Sequence, residues 1–466
     1  MAGKKTQAQL TPEEKLQQAL VPEAEQPYKV PANWCWAKAG SFFYILRGVS
    51  YKKHQVHTKK EMNDCLIMRG GNVLEGEIDL ESDNVYVDKS LVDDIQLLRK
   101  NDVVIVSSTG STKIIGKAGI VDKDYFDVSF GAFLTLLRPI DDINKTFVDF
   151  YFQSELYRAR VRLLANGVNI NNIRNEHLSG ASFPLPPLAE QQRIVERIES
   201  LFAKLDEAKE NLQNVLDGFE TRKAAILHKA FTGELTANWR KQHGVSMDSW
   251  EETFIKNVCL DIKVGIVIKP SQYYVDKENG IAAFRSANVR EFRIDNIDWV
   301  YLSPKGYNEN KRSIVHTGDV LIVRSGNPGT ACVVTEEFDG YNAIDILIAV
   351  PNKDKLNSYF LCAYTNSPVV KQMVENNKRG MALSHFNVSG YSKLPIFVPT
   401  LSEQTEIVRI IDDLLAKEQQ AKELAENALA KIELIKKAIL ARAFRGELGT
   451  NNPADEPAIE LLKRVL

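Results

Sequence analysis

Through two long stretches of this chain, apolar residues return at alternating four- and three-residue steps. In the first they are Ile194, Ile198, Leu201, Leu205, Ala208, Leu212, Val215 and Phe219. In the second they are Ile407, Ile411, Leu414, Ala421, Ala425, Ala428, Ile432, Ile435 and Ile439, with Glu418 interrupting the run. That spacing is a heptad seam and predicts coiled-coil helices rather than ordinary surface helices. Neither stretch contains Pro, Gly218 lies off the seam, and each stretch closes on a Gly (Gly233, Gly446) suited to a left-handed helix cap. A helix of about 42 residues is expected in each, about 60 Å long at 1.5 Å per residue.

The two stretches are also the same text. Residues 188–235 and 401–448 align without a gap, and 24 of the 48 positions are identical, so they form an internal repeat. One such run would suggest a homodimer, whereas two matched runs favour pairing within the chain. Leu212 and Val215 are bulky where Ala425 and Ala428 are small, which suits an antiparallel pair.

The remaining pattern divides the chain. Residues 1–32 are polar and read as a mostly disordered arm, with Thr11-Pro12-Glu13-Glu14 starting a short helix to Leu20. Residues 33–187 form a first domain. Its strand-like runs are 42–46, 102–106 and 132–137, and a helix is expected over Phe147–Leu164 with a basic end at Arg158, Arg160 and Arg162. The first long helix (188–235) and a linker (236–248) follow. A second domain, 249–400, has parallel landmarks: Trp250 for Trp36, 318–323 for 101–106, and Ser358–Val374 for the basic helix. The second long helix (401–448) and a tail (449–466) complete the chain. Compact domains bring their termini together, so the first helix should end near where the second begins. The expected class is α+β: two globular α/β domains related by a pseudo-twofold axis and separated by an antiparallel pair of long coiled-coil helices.

Composition narrows the function more by exclusion than by assertion. Hydrophobic content of 44% and charged content of 26% suit a soluble globular protein, and no apolar run is long enough to span a membrane. The start lacks a secretory apolar segment, so a cytoplasmic protein with reduced thiols is expected; its five Cys include no CxxC pair. Seven His residues form no metal-binding spacing. The stretch 110–118 falls short of a phosphate loop because Ala118 stands where the Mg²⁺-ligating Ser or Thr belongs. No glycine-rich nucleotide fingerprint follows a strand, and Asn327-Pro328-Gly329 lacks the second Pro and aromatic of a base-amino methyltransferase motif. No catalytic residue or metal site is therefore assigned.

What remains is a set of basic and amide-rich loops. The net charge of −2 does not pull the whole chain toward nucleic acid, but local basic loops suffice for binding. In the first domain the candidate DNA contacts are Arg47, Tyr51, Lys52, Lys53, Arg69, Asn72, Ser108, Lys113, Asn169, Asn171, Asn172 and Arg174. In the second they are Arg285, Asn288, Arg324, Asn327, Lys378, Arg379, His385 and Asn387. Arg and Lys pair with guanine edges, Asn with adenine, and Gly or Ser backbone can approach phosphate. Taken singly, any one such loop is better read as a solvated turn; their recurrence at similar places in both domains is what singles them out.

Pro-Leu-Ala-Glu-Gln-Gln (187–192) leads into a helix ending Ala-Phe-Thr-Gly-Glu-Leu-Thr (230–236). Thr-Leu-Ser-Glu-Gln (400–404) likewise leads to Ala-Phe-Arg-Gly-Glu-Leu (443–448). This double layout resembles the central and C-terminal regions of type I restriction-modification specificity (S) subunits, and 47–53 with 169–172 resembles their target-recognition domains. The resemblance implies that each domain reads one half of a split double-stranded DNA site. It also implies that the helix pair sets the spacer and docks two modification (M) subunits, with Glu190, Gln191, Phe231, Glu403, Gln404 and Phe444 at the docking surface. S-adenosylmethionine would belong to the M subunit. ATP and Mg²⁺ would belong to restriction (R) subunits, joined through the core that two M subunits form with this chain. The chain itself would then bind no cofactor and be no enzyme. A non-enzymatic two-domain scaffold that binds protein remains the alternative.

Overall fold

A computed structural model describes residues 10–111, 113–166, 172–380 and 386–466, with side chains described outside 162–166 and 375–380. The chain divides into two units, Met1–Asn211 with Ala428–Leu466 and Leu212–Asn427. Each unit contains one globular head, the start of its own long helix and the far end of the other.

The heads differ in sequence but share the strand order of their main sheet. In the first, an antiparallel sheet runs in the order Phe43–Arg47, Leu134–Pro139, Val103–Val106, Ala118–Ile120. In the second the order is Cys259–Val264, Ile346–Pro351, Val320–Val323, Ala331–Val333. Beside each lies a smaller sheet in which the strand after the first loop (Asp64–Met68, or Ile281–Phe284) pairs parallel with a short later strand (Val128–Phe130, or Asn342–Ala343). A two-stranded ribbon closes each head, Cys35–Lys38 on Ser182–Leu185 and Glu251–Phe254 on Pro395–Val398. The central strands Val103–Val106 and Val320–Val323 are wholly buried, as continuous β-branched runs require when both faces are covered.

Several expectations need correction. The arm is structured from residue 10 onward and packs from Ala19. The capping box forms as anticipated, with Thr11 accepting from the Glu14 N–H and Glu14 from the Thr11 N–H, starting the helix Pro12–Ala19. The chain then docks: the Val21 N–H donates to the Trp36 carbonyl, and Tyr28 donates to the Phe444 carbonyl at 2.8 Å. The helix expected over 147–164 is two, Lys145–Gln153 and Glu155–Asn166, because Ser154 turns extended and its hydroxyl bonds back to the Tyr151 carbonyl. Its counterpart is likewise split into Ser358–Thr365 and Pro368–Gly380, at Pro368.

The first long helix is also interrupted, running Leu188–Asp217 and then Phe219–Phe231, while the second is continuous over Leu401–Ala443. The interruption is local, since the Gly218 N–H still reaches the Asn214 carbonyl and the Arg222 N–H reaches that of Gly218. A Cβ at 218 would lie 2.4 Å from the Arg222 guanidinium. That guanidinium folds back to donate to the Val215 carbonyl and, at 2.7 Å, to Glu418. Glu418 interrupts the apolar seam because it has a charged partner there. Beyond the helices, Gly233 and Gly446 adopt φ of 80° and 74°, the left-handed caps expected from the sequence.

Within each unit the two helices run antiparallel. In the first unit Asp206 meets Lys436 at 2.6 Å and Lys209 meets Glu433 at 3.2 Å; in the second, Phe219 meets Lys422 and Arg222 meets Glu418. The seam is buried where the helices enter the heads and again at Ala425 and Ile432. Ile194, Ile198, Ile407 and Ile411 are buried, whereas Val215 and Ile435 on the seam stand exposed. Mid-helix contact combines ion pairs with seam packing that is buried at some positions and open at others.

Each core takes in the end of the opposite helix. Phe444 is fully buried against Phe147 and Tyr151, while Phe231 packs on Phe360 and Tyr364. The tail helix Ala458–Val465 adds Leu461 and Leu462 to the first core. Phe444→Ala should therefore cost about 3–5 kcal/mol of stability, as for other buried aromatics. Leu424→Ala, at a mid-helix position 62% exposed, should change it by less than about 0.5 kcal/mol. Denaturant melts of the two variants should differ by that margin.

Candidate nucleic-acid interface

The repeated Glu-Gln dipeptide opens each long helix, and all four side chains are fully buried. Glu190 accepts from the Trp34 indole at 2.7 Å, from the Asn451 amide at 2.7 Å and from the Thr450 hydroxyl at 3.3 Å. Glu403 accepts from the Trp250 indole at 3.1 Å, and from the Thr236 hydroxyl and buried Arg240 guanidinium at 2.6 Å each. Gln191 accepts from the Asn144 N–H and donates to the Pro186 carbonyl. Gln404 does the same with the Asn357 N–H and the carbonyls of Lys355 and Pro399.

These four residues and Phe444 cannot form a docking surface, since nothing outside the chain reaches them, and the partly buried Phe231 is committed to the second core. They are latches. Each ties a helix start to its own head, and each Glu also grips the segment that follows the opposite helix. The counterpart of Trp250 is thus Trp34 rather than Trp36, whose indole donates instead to the Tyr28 carbonyl.

The loops gather at one end of each main sheet. In the first head they meet at residues 130–133. The Val49 N–H donates to the Phe130 carbonyl, and the Gly131 N–H to that of Met68. The Ser107 and Ser108 N–H groups both donate to the Phe133 carbonyl, and the Ile173 N–H to that of Ser107. Arg47, Lys52, Lys53, Lys113, Asn172 and Arg174 are exposed on these loops, and Ser108 is half-buried beside Asn172. Tyr51 instead leans on the core around Cys65, Val85 and Val87. At the base of the first loop Asp64 accepts from His57 at 3.0 Å, which holds that imidazole above its ordinary pKa. Asn169 and Asn171 lie outside the described residues.

In the second head the Phe386 N–H donates to the Arg324 carbonyl, joining the two loops as 107 and 173 are joined in the first. Arg324 is turned inward, paired with Asp345 and donating to the Phe386 carbonyl at 3.3 Å. Asn327 and Asn387 are exposed, and the Asn387 side-chain amide oxygen (Oδ1) also caps the short helix Val388–Ser392 by accepting from the Gly390 N–H. Lys378 and Arg379 lie in the helix Pro368–Gly380, their side chains outside the described set, and His385 lies outside it altogether. Glu291 braces this head to the first helix. Burial alone would raise its carboxyl, but Lys223 and Lys371 both donate to it and hold it below the usual range.

Asn72 and Asn288 are not base readers. Both are fully buried. Each accepts from the N–H of the Arg three residues before it (Arg69 or Arg285) at 2.8 Å. Each then donates to two carbonyls of the following loop, Asp79 and Ser82, or Asp295 and Ile297. The guanidinium groups of Arg69 and Arg285 bend back to the carbonyls of Asp83 and Asp298, both in left-handed backbone. The Arg-x-x-Asn unit is thus a clasp built identically in both heads.

Sequence reasoning missed two features. Phe133 is 70% exposed at the point where the loops converge. The second head also has a counterpart to 47–53, in which Gly265, Ile266, Lys269 and Gln272 match Gly48, Val49, Lys52 and Gln55, with Ile268 79% exposed between them. The spacing Gly-x-x-x-Lys-x-x-Gln is the signal that would have found it.

Comparison with known proteins gives a consistent result. The family model for the type I restriction modification DNA specificity domain matches residues 33–217 and again 247–428. The EcoKI specificity subunit of Escherichia coli K12 is 29% identical over 438 residues, covering 92% of both chains. The StySPI specificity subunit of Salmonella potsdam is 30% identical over the same length and coverage. Among solved structures, the HsdS subunit of Thermoanaerobacter tengcongensis aligns with a TM-score of 0.61 at 18% identity, over 91% of this chain and all of that one.

Asn72→Ala and Asn288→Ala should each lower stability by about 1–3 kcal/mol, since each leaves buried backbone groups without partners. If these side chains only hold the clasp, the variants will melt earlier yet keep the wild-type DNA sequence preference at temperatures where they are folded.

Proposed function

As the chain belongs to the family of type I restriction-modification DNA specificity subunits, we propose that its two heads read the two halves of a bipartite, asymmetric double-stranded DNA site. The observation that supports this reading most directly is the pairing of one strand order with two unlike loop sets. A scaffold duplicated for one partner would keep its loops alike; a scaffold duplicated to read two sequences keeps the frame and changes the loops.

In this reading the chain is not itself a catalyst. Two M subunits bring S-adenosylmethionine and the adenine chemistry, and R subunits bring ATP and Mg²⁺ through the same core. The complex works in the cytoplasm. Among the described residues no helix is long and apolar enough to cross a membrane. The long helices set the spacer between half-sites and carry the M subunits. With the Glu-Gln pairs buried, docking falls to apolar side chains that the helices leave in solvent, Leu434 and Ile435 in the first unit and Val215 and Leu424 in the second.

The experiment is to map modified adenines in a genome expressing this chain with its M subunit. A split sequence with a fixed gap supports the reading, and modification without sequence preference overturns it in favour of a protein-binding scaffold. Replacing residues 33–187 with the equivalent head of another specificity subunit should change one half-site and leave the other intact. Leu434→Asp should leave the melting temperature unchanged and reduce co-purification of the M subunit by at least tenfold. Retention of that subunit would place docking elsewhere.

A further inference from the structure

The two heads have diverged so far that a residue kept at the same place in both, and not used to hold the fold, stands out. Gly48 and Gly265 are kept for a structural reason. A Cβ on either would sit 2.2 Å from a carbonyl oxygen, that of Gly131 or Ala343. That close approach lets the next residue bridge in parallel, Val49 to Gly131 and Ile266 to Ile344, through equivalent 2.8 Å bonds. The clasp arginines are kept for a structural reason too, since their guanidinium groups hold loop carbonyls.

Lys52 and Lys269 differ from these. Each lies four residues after its glycine and opens a 3₁₀ turn, its carbonyl accepting from the Gln three residues on at 2.9 and 3.1 Å. Both side chains are exposed, and neither has an acidic partner among the described residues. Between glycine and lysine the residues do not match: Ser50 and Tyr51 in one head, Val267 and Ile268 in the other. One loop therefore carries a shared cation and unshared neighbours.

Resting on the reading that the heads bind DNA, we propose that Lys52 and Lys269 are equivalent contacts to the phosphodiester backbone, and that discrimination between bases lies with the unshared side chains beside them. The chemistry favours this division. A lysine ammonium is a point charge on a flexible stem, and every base step presents the same phosphate. A residue that must serve two heads reading different sequences can do so only through what the sequences have in common. Phe133 and Ile268, each exposed and standing where the other head has Asp345 and Tyr51, have the apolar surface that distinguishes a thymine methyl from other base edges.

The test uses the complete chain assembled with its M subunits, titrated by fluorescence anisotropy against three duplexes: the mapped site, the site with one half scrambled, and unrelated DNA. Salt is varied from roughly 50 to 200 mM. Each phosphate contact contributes a log–log salt slope of about 0.9, so removing one should shrink the fall in affinity over that range by roughly three- to fourfold. Lys52→Ala and Lys269→Ala should each do so and weaken all three duplexes by the same factor, with Lys→Arg restoring the slope. Phe133→Ala should leave the slope unchanged and reduce the preference for the true site. A wild-type slope in the lysine variants, or a lysine variant that changes which duplex is preferred, overturns the assignment alone. If the wild-type complex prefers none of the duplexes, the DNA reading fails with it.

Discussion

Burying a carboxylate at the start of a helix is costly, and this fold does it twice. At Glu403 the charge is met by Arg240, Thr236 and the Trp250 indole; at Glu190 an amide, a hydroxyl and the Trp34 indole do the same work without a cation. Breaking a buried ion pair on one side costs about 3–5 kcal/mol, because the remaining charge has no water to turn to. The donors come from two separate parts of the chain and the carboxylate from a third, so it can be satisfied only when head, helix start and the segment beyond the opposite helix are all in place. The latches thus specify an arrangement as well as stabilising it, and the aromatic packing of Phe444 and Phe231 acts on the same junctions.

The helices were legible in the sequence because their information is local. Apolar spacing, the absence of Pro and the terminal glycines all act within a few residues, and the repeat marked the pair before any fold was known. What misled was also local. A run of good helix formers from Phe147 onward conceals a break that depends on a single hydroxyl, that of Ser154. The heptad pattern likewise predicts a buried seam that solvent partly occupies at Val215 and Ile435. The heads were less legible because their common strand order is fixed by pairings between distant segments, and side chains on either face could diverge without disturbing it.

The candidate interface was legible in outline and misread in detail for a related reason. Basic and amide-rich loops were identified where they occur, and the structure brings 47–53, 107–111 and 172–174 together at one end of a sheet. Sequence cannot say which way a side chain turns. Asn72, Asn288 and Arg324 have the composition of base readers and spend their hydrogen bonds inside the protein. Glu190 and Glu403 look like charged residues on a helix surface, yet both are sealed. In the opposite sense, Phe133 reads as a core strand residue but stands in solvent, held by three hydrogen bonds to its own carbonyl from Ser107 and Ser108.

One asymmetry between the two units bears on how the protein is made. The second unit is a single contiguous stretch, Leu212–Asn427, whereas the first is assembled from Met1–Asn211 and Ala428–Leu466. Glu190, Ile194 and Phe147 therefore leave the ribosome long before Asn451, Phe444 and Leu462, which complete their surroundings. At about 5–20 residues per second, that interval is roughly 13–60 s. During it the first head carries an uncovered apolar face and a carboxylate lacking two of its donors, while the second head can finish folding. The first-made half of the molecule is the last to close, which makes translation the period when this protein has most need of a chaperone.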